Sequence, residues 1–281
     1  MLRPALIVVA VTMVQVPAEP VGALLRRWRE RRRLTQLDLS LRAEVSARHL
    51  SFVETGRAKP TSSMILLLSE HLDVPLRERN MLLLAGGYAP AYPQHGLGDA
   101  PMAAISEAIT AILAAHQPYP AVVIDRHWEL VDANQAVGLL TAGAAAHLLE
   151  PPVNVLRLSL HPDGMAPRIA NLAQWRAHLL ERLRQQVEAT GDAQLAEMLE
   201  ELRGYPGGDP SAPAAFSGTG ALIVPLQYHT PAGVLSLFST TTVFGTPRDV
   251  TISELAIETF YPADTATGTV LRSLMPDRPS G

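Results

Sequence analysis

The stretch that most restricts what this chain can fold into is "TQLDLSLRAEVSARHLSFVETGR", residues 35–57. Two short amphipathic runs flank a tight turn, Ala43-Glu44-Val45. Thr35 is placed to cap the first run and Ser46 the second, because a hydroxyl ahead of a helix can accept from its free backbone N–H groups. In the second run Leu50 and Val53 share one inward face. Ala47, Arg48, Ser51 and Phe52 are then left outside, with His49 at their flank.

The surrounding sequence supplies a helical frame. Residues 20–86 read as five short helices with no strand pattern. Val21, Leu24, Leu25 and Trp28 form a buried stripe, and Arg26, Arg27, Arg29, Arg31, Arg32 and Arg33 are expected around it. Thr61, just after Pro60, begins a fourth helix, and "LRERNMLLLAGG" forms a fifth that ends at a glycine pair. The helix from Gln36 to Arg42 is expected to cross a nucleic-acid backbone. The turn would then direct the next helix into a major groove, with Arg48 on its first turn facing base edges. Gln36 and the N-terminus of that helix (Ser46) would hold phosphates, with Arg57 and Lys59 placed for the next ones.

Charge divides the chain in the same way. Residues 1–86 hold 13 Lys/Arg against 8 Asp/Glu, and the remainder 10 against 19. A basic first third on an acidic body suits one segment that meets a polyanion and another that does not. The chain has no cysteine, which excludes thiolate metal sites and a cysteine nucleophile and suits a reducing, cytoplasmic setting. Residues 1–19 read as a tail. Their apolar run is too short to span a bilayer and lacks a clear cleavage site, and Met13 could be an alternative start. No membrane span is expected elsewhere.

Residues 88–101, rich in Gly and Pro, read as a linker between a domain at 20–87 and a second at 102–281. After a helix near 102–115, "AVVIDRHWELVDA" gives two strands about a turn at Arg126-His127, with Asn134 placed to cap a following helix. Residues 166–203 read as helical, with Ile169, Leu172, Leu179, Leu183 and Val187 on one face. Three strand-like runs follow: "ALIVPLQYH", "GVLSLFSTTTVF" and "SELAIETFYP". The last alternates, as a strand with one wet face would. Five strands with helices between them make an α+β domain.

The motifs L-T-Q, V-S-x-x-x-[IL]-S-x-[IV]-E and G-R-x-x-P within residues 24–60 resemble the Xre/Cro-type helix-turn-helix. Many such proteins carry glycine where this chain has Arg33 and Glu44. A left-handed backbone there would cost a non-glycine residue roughly 1 kcal/mol. The segments "YPAVVIDRHWELVDANQAV", "NVLRLSLHPDGMAPRIANLAQWRAHLLERLR" and "LSLFSTTTVFGTPRDVTISELAIETFYPAD" resemble the C-terminal domain of MmyB-like regulators. That resemblance implies a PAS-like fold with an antiparallel sheet and a ligand-sensing role, with fatty-acid-like molecules as the ligand class.

Catalytic patterns are missing from the sequence. None of the nine histidines has H-E-x-x-H or other close metal-ligand spacing. There is no G-x-S-x-G or Walker loop, and "GLGDAP" lacks the third glycine of a dinucleotide fingerprint. No enzyme, cofactor or metal is expected. Arg157, His161 and Arg168 are candidates for a polar clamp on an acidic ligand, against the alternative of ion pairing on a helix surface. Trp128, Asn134 and Trp175 are candidates for lining the pocket, against the alternative of a structural role. The partners expected are operator DNA, a small apolar ligand such as an acyl chain, and a second copy of the chain. One short recognition helix reads only a few base pairs, so useful specificity needs two half-sites. Two rivals remain: a small-molecule enzyme carried on a DNA-binding arm, and an antitoxin-like protein-interaction module.

Overall fold

The computed structural model describes residues 19–207 and 223–274. The expected tail, apart from Glu19, lies outside them. The described residues divide into two compact units: 19–103 with 246–253, and 104–207 with 223–245 and 254–274.

The first unit is helical throughout: α1 (Val21–Arg31), α2 (Gln36–Arg42), α3 (Ala47–Glu54), α4 (Ser62–His71) and α5 (Leu76–Ala85). Its core joins Leu25, Trp28, Leu39, Leu50, Ile65, Leu68, Leu82 and Leu83, all almost fully buried. These are the apolar positions of each helical stripe, so a single interior satisfies all five helices.

All five helices stop in the same way. In each case a residue with positive φ follows the last turn: Arg33 (55°), Glu44 (53°), Gly56 (72°), Asp73 (46°) and Gly87 (80°). The backbone N–H of the next residue then reaches back five positions, as in Leu34 to Arg29 (3.1 Å), Val45 to Ser40 (3.0 Å) and Val74 to Ser69 (2.9 Å). This closure satisfies carbonyls that the helix end leaves unpaired. Only two of the five residues are glycine.

One of the six arginines expected on the surface lies inside. Arg29 donates to both carboxylate oxygens of Glu54 at 2.7 and 2.8 Å, clamping α1 to α3, and donates to the Leu34 carbonyl. Both side chains are buried. Arg31 and Arg32 lie over the Trp28 ring, and Arg32 also donates to the carbonyls of Leu72 and Asp73. Much of this basic run therefore ties helices together, where periodicity alone placed it at the surface.

Residues 88–95 pack against α5. Asn80 holds the backbone of Ala91 and Tyr92, and Tyr88 donates to the Pro60 carbonyl. Residues 246–253 complete the unit. Asp249 is buried and accepts from the backbone and ring of His95 at 3.2 and 2.8 Å, and Val250 N–H donates to the Pro93 carbonyl.

The second unit is α+β. Its five-stranded antiparallel sheet runs in the order β2-β1-β5-β4-β3, with β1 at Ala121–Ile124, β2 at Leu130–Ala133, β3 at Leu226–Thr230, β4 at Gly233–Val243 and β5 at Ala256–Pro262. Its longer helices are α6 (Ala103–Ala115), α9 (Leu172–Thr190), α10 (Ala193–Arg203) and α12 (Thr265–Leu274), with the short α7 (Gly138–Thr141) and α8 (Val155–Leu160) between β2 and α9. A four-residue turn of helix, α11 (Val250–Ser253), belongs to the first unit. Leu158, Leu160, Trp175, Leu183, Leu199, Leu235 and Leu237 sit in one apolar interior.

Three expectations needed correction. The helical region at 166–203 is two helices, broken where Gly191 takes φ 65° and Asp192 caps α10. Ile169 precedes α9 and bridges Tyr228 rather than extending the helical stripe. Strand β5 has no wet face. It lies in the middle of the sheet, with Ile257, Glu258 and Thr259 all buried.

Candidate nucleic-acid interface and ligand-domain interior

The α2–turn–α3 unit is fixed by its caps. Thr35 accepts from Asp38 N–H while the Asp38 carboxylate accepts from Thr35, a reciprocal capping box. Ser46 accepts from His49 N–H at the start of α3. With Leu50 and Val53 buried inward, Arg48 and His49 are exposed, and Ala47, Ser51 and Phe52 are partly exposed. The Arg48 guanidinium lies 5.4 Å over the Phe52 ring, so it rests along the outer face of the helix. Arg57 and Lys59 are exposed in the loop that follows, where Gly56 provides the left-handed turn.

Gln36 is placed differently from the other eight positions. Its amide donates to Glu54 at 2.8 Å, so in the free protein it braces the buried Arg29–Glu54 pair. A shallow groove lined by Val45, Ser46, His49, Thr61, Ser63 and Met64 runs beside α3. It brings the capped N-termini of α3 and α4 to one surface, and helix N-termini favour phosphate. Thr61 and Ser63 were not among the expected contacts. The Pro60-Thr61 cap signal was present in the sequence, but only the tertiary fold shows that it faces the same way as Ser46.

In the second unit, Trp128 is buried in the β1–β2 turn at φ 64°. Its indole N–H donates to Gln186 at 2.7 Å, and the Arg182 guanidinium sits 4.9 Å over its ring. Arg182 also donates to the buried Glu258 at 2.8 Å, which Ser239 joins at 2.9 Å. Trp175 donates to Ser159 at 3.0 Å and lies beside His178. Burial holds the His178 imidazole below its ordinary value, and nearby Arg182 adds to the effect.

Asn134 does not cap a helix. Buried, it donates to the carbonyls of Leu113 and Tyr119 and accepts from Ala121 N–H, pinning α6 to the start of β1. Arg157 forms a forked pair with Glu201, whose other partner is Tyr205, and the His161 ring meets the Tyr205 ring edge-on at 5.1 Å. Arg157 and His161 thus share one cluster. Arg168 instead donates to the Ala142 carbonyl. Glu201 is held below the usual carboxylate range, chiefly by Arg157. No sequence signal marked Arg176. It is buried and donates to the Leu202 and Arg203 carbonyls at the end of α10, and its Nε has no partner among the described residues.

A capped helix-turn-helix in a helical unit, followed by a separate α+β domain, is together with the family matches below the arrangement of a DNA-binding transcriptional regulator with a ligand-binding domain. The chain belongs to the family of the MmyB-like transcription regulator ligand binding domain, whose model matches residues 105–274, and a helix-turn-helix model matches residues 25–79. No curated protein matches in sequence. Among solved structures, one titled "Structure of an RNA-binding Light-Oxygen-Voltage Receptor" aligns at 16% identity over 90% of this chain and 59% of that one. Its TM-score of 0.24 carries no argument. No helix among the described residues is long and apolar enough to cross a membrane.

Proposed function

We propose that this regulator binds a near-palindromic operator as a homodimer and that an acyl-chain ligand in the second unit sets its operator affinity. The observation that carries the DNA part is α3: its inner face is buried, its N-terminus is capped, and Arg48 and His49 stand exposed. A single such helix contacts few bases, so two copies would bind half-sites about 34 Å apart.

The acyl part rests on the family's ligand-binding character and on the long apolar runs of the second unit. Each buried methylene would contribute about 0.8 kcal/mol, so a long chain binds even with a weakly paired head group. The protein would act in the cytoplasm, beside its operator, and without catalysis.

The test is operator binding by delipidated and fatty-acid-loaded protein. Coupling energies are typically 1–3 kcal/mol, so affinity should shift roughly 5- to 150-fold. Equal affinities would leave the acyl chain a structural filler, and failure to bind any acyl chain would remove the sensing role. A monomer both free and on the operator, by light scattering, would overturn the dimer.

A further inference from the structure

We propose that His147, His161 and Asp163 form a site for one divalent transition-metal ion of the zinc type, which would claim His161 in place of the acidic-ligand clamp. The three side chains come from two short turns, and one ligand atom of each lies within 4.8 Å of the others. Two imidazoles and a carboxylate suit zinc, nickel or copper. Magnesium and calcium prefer all-oxygen sets.

The backbone holds the donors together. His161 ends α8, and its carbonyl accepts from Gly164 N–H at 2.9 Å. Gly164 is needed in this tight turn, because an added Cβ would stand 2.3 Å from the Leu158 carbonyl oxygen. The Asp163 carbonyl accepts from Ala145 N–H at 2.8 Å, tying this turn to the one that carries His147. The donor spacing was therefore invisible in the sequence, where fourteen positions separate the two histidines.

The side-chain geometry is close to ligation. The His147 and His161 rings lie 5.7 Å apart between centroids at 80°. Zn–N bonds of about 2.0–2.1 Å place two imidazoles on one tetrahedral ion roughly 5–6 Å apart. His161 Nδ1 is 3.9 Å from Asp163 Oδ2, against about 3.3–3.5 Å for two atoms bound to one tetrahedral ion. Side-chain rotations on binding would have to close this gap and the wider separations, up to 4.8 Å, within the trio. Ligation through Nδ1 replaces the hydrogen bond it now accepts from Asp163 N–H at 3.0 Å. His147 and Asp163 are exposed, so an ion can reach the site, and water would complete its coordination.

Calorimetric titration of the full-length protein with zinc chloride tests the proposal. One ion per chain is expected, with no response to magnesium. His147→Ala and Asp163→Asn alter exposed side chains, and circular dichroism will show whether their fold is kept. Each should weaken zinc binding at least tenfold, whereas the exposed His229→Ala should leave it unchanged. No zinc binding by the wild type, or equal binding by all three variants, would overturn the site.

Discussion

Replacing Arg33 and Glu44 with glycine should make the first unit more stable. Both residues hold left-handed backbone, at φ 55° and 53°, at the ends of α1 and α2. A side chain in that region costs roughly 1–2 kcal/mol through the clash of Cβ with the neighbouring carbonyl. Glycine removes the clash but gives up roughly 0.5–1 kcal/mol in extra unfolded-chain entropy. Both side chains are exposed, so little packing is lost. At the centres of these ranges the net gain is about 0.7 kcal/mol per site. For a unit of this size each kcal/mol raises the midpoint by roughly 4–8 °C. Calorimetry on Arg33→Gly, Glu44→Gly and the double variant should show single gains of a few degrees and a larger gain in the double. If the glycine variants melt at or below the wild-type temperature, the left-handed assignment, or its cost, is wrong.

Three further outcomes follow from the geometry. Arg48→Ala should relax base preference by about 1–3 kcal/mol at one position, whereas Arg57→Ala should weaken all sequences and reduce the salt slope by about 1, both read from binding isotherms at several salt concentrations. Glu54→Ala leaves Arg29 buried without its carboxylate and should destabilise the first unit by about 3–5 kcal/mol in denaturant titration. His178 has a folded-state pKa below its unfolded value, so the unfolded chain binds the extra proton. Stability of the second unit should fall as pH drops through about 6.5 toward that lower value, and His178→Gln should flatten this part of the melting profile.

Local chemistry made the first unit largely readable. Its hydroxyl caps and its apolar stripes, such as Leu24, Leu25 and Trp28, mark the helices directly, and Leu50 and Val53 face inward as their spacing requires. What could not be read depended on contacts distant in sequence. Arg29 looks like any other residue of a basic run until Glu54, 25 positions away, comes beside it. The alternation of β5 suggested an exposed face because nothing local reveals that β1 and β4 flank it or that Arg182 covers Glu258. Asn134 has the residue type of a helix cap, but the carbonyls of Leu113 and Tyr119 claim it first. The break at Gly191-Asp192 was missed although its signal is local, since a glycine followed by a capping aspartate is a stop and a restart.

The short segment between β4 and β5 bears on how this protein can be divided. Residues 246–253, Asp249 and Val250 among them, belong to the helical unit although β4 before them and β5 after them belong to the sheet. A fragment ending near residue 103 would strip the partner from His95 and uncover the Pro93 carbonyl, and the complementary fragment would carry a helix-forming arm with nothing to rest on. The two halves are therefore not interchangeable cassettes. A single recombination event in the 88–101 region would join a helical unit to a sheet whose β4–β5 arm had been shaped for a different one, and a working chimera would have to exchange residues 246–253 as well.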